Sequence, residues 1–187
     1  MKLKIKNFAK IKDADIIIDG ITVIAGENNT GKSTVGKILF SLFNSLSNVD
    51  EKIFEERLKE IESTNRMIIQ NNISDIEISR AMVSRSALNI SRRISMRIRD
   101  VLDVNGIISD ENLVEIVEKA IVSWRTVTEN KKYDELNNTI EEICKNTKEI
   151  LNLPEETIVL EIVSRYFNGV FHSQIESLAS NGDTETE

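Results

Sequence analysis

The chain holds one cysteine, one proline and one histidine in 187 residues. A lone Cys144 excludes an internal disulfide and any metal site built on several thiolates. Its setting, "EEICKNTKE", puts it on the apolar side of a predicted helix, as a small buried hydrophobe. His172 lies in "VFHSQIESL", which has helical spacing; it reads as a surface or structural histidine, with a histidine base as the alternative. Nowhere does an apolar run approach the roughly 18 residues that a membrane-spanning helix requires. The first apolar stretch, "ADIIIDGITVIAG", is broken by Asp15, Asp19 and Gly20 and lacks a signal-peptide cleavage pattern. A cytoplasmic protein without membrane contact is the expectation.

What is present fits a globular chain, with 40% apolar and 29% charged residues. The length suits one domain, or a small domain with a substantial appendage. The net charge of −7 conceals an asymmetry. Residues 1–99 carry 17 basic and 12 acidic side chains, and residues 100–187 carry 7 and 19. An acidic average therefore leaves room for a basic face in the first half.

Near the start, "KLKIKNF" alternates lysine with Leu3 and Ile5, the period-two pattern of a half-buried strand. "DADIIID" follows as a second strand and Asp19-Gly20 as a turn. "ITVIA" is continuously apolar, which predicts a third strand buried on both faces. A helix is expected from about Lys32, with Val35, Leu39, Leu42 and Leu46 as its core stripe and Ile38 and Phe43 widening it. Beyond Asp50 the pattern is helical, with predicted helices at 50–70, 75–103, 110–128, 132–152 and 155–180. Asn105-Gly106 and "NLPEE" supply the breaks. The expected organisation is an N-terminal lobe over 1–47, a helical region over 48–180 and a disordered tail over 181–187.

Between the third predicted strand and the helix stands "GENNTGKST", a complete match to G-x-x-x-x-G-K-[ST] in its confirming strand-loop-helix context. Gly26 and Gly31 allow backbone angles that side chains forbid and a close approach to an anion. The stretch Gly26, Glu27, Asn28, Asn29, Thr30, Gly31, Lys32, Ser33 and Thr34 can turn its amide N–H groups inward as a phosphate nest at a helix N-terminus. In that reading Lys32 reaches the β- and γ-phosphates of ATP, and the Ser33 hydroxyl ligates Mg²⁺.

Taken with its upstream strands, "LKIKNFAKIKDADIIIDGITVIAGENNTGKST" resembles the N-terminal segment of ATP-binding-cassette-type ATPases. Within that class it is similar to the structural-maintenance-of-chromosomes, recombination-repair and overcoming-lysogenization-defect groups. Leu3, Ile5, Asn7, Phe8, Gly20, Ile21 and Asn28 carry the likeness, which covers residues 1–47. Asn29 replaces the glycine usual in the chromosome proteins, so "GENN" is closer to the lysogeny-defect and phage-defence ATPases. The resemblance implies an α/β P-loop NTPase lobe with a small N-terminal sheet, followed by a large all-helical insertion. It also implies ATP and Mg²⁺ as ligands, and a homodimer or larger oligomer formed through the nucleotide site. Phe8 or Lys10 would border the adenine or ribose, although Phe8 reads more readily as a core residue closing a strand.

Such ATPases also use a strand ending in Asp-Glu and a serine-glycine signature. No four apolar residues precede Asp-Glu here, and Ser-Gly-Gly does not occur. "TIVLEIVSRYF" comes nearest, but Ile158, Ile162, Val163 and Phe167 have helical spacing, which makes Glu161 a helix-surface residue. Gln70 and Gln174, the two glutamines, also fall in helical text. By the resemblance this chain corresponds to the N-terminal lobe of a longer ATPase, hydrolysing only with downstream residues and a second protomer.

One further feature stands out. Residues 78–99 contain six arginines and no acid. Val83, Ala87, Ile90, Ile94, Ile98 and Val101 form an apolar stripe, with Arg85, Arg92 and Arg99 roughly opposite. That ridge suits the phosphate backbone of DNA or RNA, an acidic protein partner, or intramolecular ion pairs on a solvated face. The absence of interleaved aromatics argues against a base-stacking platform. Two other functions remain open: a small P-loop kinase, and a subunit that holds ATP without turning it over.

Overall fold

The alternation at the N-terminus produces a β-hairpin in the computed structural model, which describes residues 1–28, 30–73, 80–125 and 133–171. Strands β1 (Lys2–Phe8) and β2 (Ile11–Ile17) pair antiparallel. Leu3 faces Ile16 and Ile5 faces Ala14 on the core side, while Lys4 faces Asp15 and Lys6 faces Asp13 on the other. Strict alternation would put Phe8 and Ile11 on the lysine side. Instead both join the core around Ile5. The period breaks at Asn7, whose φ of 49° is left-handed, and again at Ala9 in the turn, with φ 51°. These two residues swing the hairpin tip inward.

The third predicted strand does not form. Residues 21–27 have no regular structure, and Ile21 and Val23 are 94% and 82% exposed. A strand apolar on both faces is stable only between neighbouring strands and under cover. The hairpin is the one sheet among the described residues, and everything from Lys32 onward with regular structure is helical. The expected α/β lobe is thus reduced to a two-stranded sheet and helices.

Among the described residues six helices follow: α1 (Lys32–Leu46), α2 (Val49–Ile73), α3 (Arg80–Asn105), α4 (Asp110–Arg125), α5 (Tyr133–Leu151) and α6 (Glu155–Phe171). Their ends match the local chemistry. Asn48, left-handed at φ 50°, ends the turn after α1. Gly106, at φ 69°, donates its N–H to Leu102 O and closes α3. Ser109 caps α4 by accepting from the Asn112 N–H at 3.2 Å. Arg57 of α2 donates to Leu151 O and Leu153 O, both at 2.7 Å, and so satisfies carbonyls left over at the end of α5.

The chain divides into two units, residues 1–49 with 156–187, and residues 50–155. In this division α6 falls with the first unit. The predicted tail at 181–187 lies outside the described residues. In the first unit, Ile5, Ile11, Val35, Ile38 and Phe171 form the core. The core face of α1 runs through Val35, Ile38, Ser41 and Ser45, whereas Phe43 and Leu46 from the expected stripe are about half exposed. The stripe is rotated because the contact partners are a small hairpin and α6, not a broad sheet.

In the second unit α2 to α5 bury a largely isoleucine core, including Ile61, Ile94, Ile98 and Ile143. The α3 stripe read from the sequence faces this core: Ala87, Ile90, Ile94 and Ile98 are buried. Asn65 and Thr147, both fully buried, meet through a 3.2 Å hydrogen bond from Asn65 Nδ2 to Thr147 Oγ1. A buried polar pair of this kind selects one register between α2 and α5. Among the described residues, no helix is long and apolar enough to cross a membrane.

Candidate functional site

The loop between β2 and α1 folds upon itself. Gly31 is the residue before α1, with φ 92° and ψ 5°, a left-handed conformation that L side chains rarely adopt. A Cβ there would also stand 3.0 Å from Ile11 Cγ1, so the Ile11 side chain would have to give by a few tenths of an ångström. At Gly26 a Cβ would come within 3.3 Å of Thr30 Oγ1. Thr30 Oγ1 donates to Glu27 O at 2.8 Å, and the Lys32 ammonium donates to the carbonyls of Gly26 and Glu27. The carbonyls of this turn point toward the lysine, and two glycines leave the backbone uncovered.

The start of α1 suits an anion. Its first turn has no acidic residue, and no side chain caps it. Its leading N–H groups and the positive end of the helix dipole accordingly face no competing carboxylate of that turn. Lys32, Ser33 and Thr34 open the helix in that order, with Ser33 exposed. The donor set fits a phosphate chain with a divalent cation: backbone N–H groups, one ammonium and one hydroxyl. Among the described residues no cluster of three histidine, cysteine or acidic side chains could hold a metal by itself. Glu27 and Asn28 are exposed beside the turn, and Asn29 lies outside the described residues.

Phe8, one of two residues considered for the base, is instead a core residue. Its ring meets Phe171 edge-on at 5.0 Å and Phe167 at 6.2 Å. The aromatic positions at the end of α6 that receive it carried no signal beyond helical spacing. Lys10 sits exposed in the hairpin turn. Glu161 is exposed on α6 and accepts from Arg165 one turn on, as expected of a helix-surface residue. Gln70 is held by Ser84, donating Nε2 to Oγ at 3.1 Å; Gln174 and His172 lie outside the described residues.

The arginine ridge is largely spoken for. Arg99 Nη2 donates to both carboxylate oxygens of Glu55, at 2.7 and 2.8 Å, and its guanidinium lies 5.6 Å from the Phe54 ring centre. Arg92 is 3.8 Å from Glu62. Both partners come from α2, whose sequence spacing gave no hint of facing α3. Arg85 is exposed. Cys144 is buried in the second unit; burial pushes its thiol pKa up, and Lys148 opposes that only in part.

Comparison with known proteins agrees with the loop geometry. The model of the AAA ATPase domain family matches residues 1–178. No curated protein matches the chain. No solved structure matches it either. The family match extends well past residues 1–47, through the helical unit and into α6. The chain therefore belongs to the AAA ATPase domain family, a family of nucleotide-binding P-loop ATPases.

Proposed function

We propose that this chain binds Mg-ATP through Gly26–Thr34 and serves as the nucleotide-binding lobe of an ATP-binding-cassette-type ATPase. The groups it resembles are those of chromosome maintenance, recombination repair and phage defence. The observation that carries the reading is the left-handed Gly31 at the uncapped start of α1, directly before Lys32 and Ser33. The backbone N–H groups and Lys32 would hold the phosphates, and Ser33 would bind the magnesium ion. Bound magnesium neutralises phosphate charge. In the groups it resembles, hydrolysis draws on a strand ending in Asp-Glu and a serine-glycine signature, motifs that do not occur in this sequence, and on a second protomer docked at the nucleotide site.

DNA is the partner proposed for the assembled ATPase, through phosphate contacts on α3. Exposed Arg85 supports that reading, while the Glu55 and Glu62 pairs of Arg99 and Arg92 favour ion pairing within the helical unit. The family assignment favours an ATPase over a small kinase. A subunit that holds ATP without turnover stays in view, because "TIVLEIVSRYF" is helix and not a strand ending in Asp-Glu.

The test measures ATP binding and turnover for the chain and for Lys32→Ala, with and without duplex DNA and small phosphate acceptors. Magnesium-dependent binding that Lys32→Ala abolishes is expected, with little turnover by this chain alone. Phosphoryl transfer to an acceptor would overturn the ATPase reading, and failure to bind any nucleotide would overturn the site.

A further inference from the structure

We propose that Phe167 and Phe171 of α6 are positioning residues for nucleotide binding, holding the hairpin tip and α1 in the geometry that seats Ile11 against Gly31. The inference rests on the reading of Gly26–Thr34 as a nucleotide site. It adds a set of residues more than 130 positions downstream on which that site depends.

The contacts form a continuous chain. The Phe171 side chain is 3% exposed and belongs to the same core as Val35 and Ile38, which lie on the first two turns of α1. Phe8 meets it edge-on, with the rings 5.0 Å apart and inclined at 80°. Phe167 stacks on Phe171 at 5.8 Å and 18°, and it also meets the Phe8 ring at 84°. Edge-to-face and stacked rings hold a direction as well as a distance. Phe171 thereby fixes where the end of β1 lies.

Phe8 pairs across the hairpin with Ile11, and Ile11 is the side chain in contact with Gly31. The left-handed Asn7 and Ala9 bring both residues of that pair inward, against the alternation of the strand. The aromatic contacts add a directional hold to the aliphatic packing of Ile11 with Ile5, Val35 and Ile38. On the other wall, the Lys37 ammonium lies 5.7 Å from the Phe171 ring centre, one helical turn beyond Ser33. One ring thus touches both the hairpin that supports Gly31 and the helix whose first turn would grip phosphate. Packed cores transmit small displacements rather than absorb them. Removing the ring releases the hairpin tip and α1 together.

The test uses the full chain and equilibrium binding of a fluorescent ATP analogue, at a temperature where circular dichroism shows every variant folded. Phe171→Ala is expected to weaken binding about tenfold, and Phe171→Leu to recover most of the loss, because displacement of gripping groups by a fraction of an ångström is costly. Ile143→Ala, in the core of the helical unit, is expected to lower the melting temperature while leaving affinity unchanged. That control separates positioning from stability. Should Phe171→Ala fail to fold, Phe167→Leu serves at a half-buried position, with an expected loss of about threefold.

A folded Phe171→Ala or Phe167→Leu that binds like the parent overturns the proposal, and so does an equal loss in Ile143→Ala. In both cases the parent still binds and the nucleotide reading stands. A parent that binds no nucleotide shows instead that the underlying reading has failed, and the proposal with it.

Discussion

Ile11 Cγ1 lies beside Gly31, 3.0 Å from where a Cβ on that residue would stand. The glycine of the phosphate loop is thereby tied to the hairpin as well as to its own backbone angle. Two penalties fall on any substitution there. One is the left-handed φ of 92° and the other is the collision.

Gly31→Ala separates them. The backbone penalty alone is about 1–2 kcal/mol. Gly31→Ala with Ile11→Ala relieves the collision but not the backbone strain. Chemical denaturation is therefore expected to show partial recovery for that pair relative to the sum of the single changes. Nucleotide titration of Gly31→Ala should show binding largely lost.

Ala9 holds a left-handed angle without glycine's freedom. Ala9→Gly removes a strain of about 1–2 kcal/mol and adds about 0.5–1 kcal/mol of unfolded-state entropy cost, for a net gain of about 0–1.5 kcal/mol. Thermal unfolding should rise by a few degrees. A lower melting temperature would show that the turn is not strained at Ala9.

Arg99 and Glu55 bond well but are each more than a third exposed in their side chains. Arg99→Gln should cost no more than about 1 kcal/mol, shrinking as salt is raised. Salt-dependent DNA binding, if carried by α3, should fall with Arg85→Gln and change little with Arg99→Gln. Equal losses would place Arg99 on the binding face despite its carboxylate partner.

Cys144 ties stability to alkaline pH. Burial raises its pKa in the folded chain above that of the unfolded thiol. Between the two values the native state keeps a proton that the unfolded state has released, so stability is full below the unfolded thiol's pKa, about 8.5, and falls as pH rises further. Denaturant midpoints measured upward from pH 8 should decline less for Cys144→Ala than for the parent. Alkylation of native Cys144 at pH 8 should also be slow.

The helices were legible because each carries its own period and its own stops. Gly106 and "NLPEE" end or start helices where their local chemistry demands. The left-handed turn at Gly31 was legible for the same reason, since a glycine there acts through its own backbone. "ITVIA" misled because an apolar run records a need for neighbours without supplying them. The α1 stripe was misjudged at Phe43 and Leu46, as helical spacing allows two adjacent faces and only the packing partners choose between them.

Phe8 shows the limit most clearly. Its position at the end of "KLKIKNF" was compatible with a base contact or a core contact, and alternation even assigned it the wrong side of the strand. The sequence by itself determined the helical periods, the glycine-lysine-serine spacing before α1 and the arginine-rich face, because these depend on residues within a few turns of one another. Only the tertiary structure decided that α6 returns to the first unit, that Phe171 meets Phe8, that Ile11 backs Gly31 and that α2 supplies carboxylates to Arg92 and Arg99. Those outcomes depend on contacts between segments 20 to 160 residues apart, whose geometry is set by packing and leaves no period in the chain.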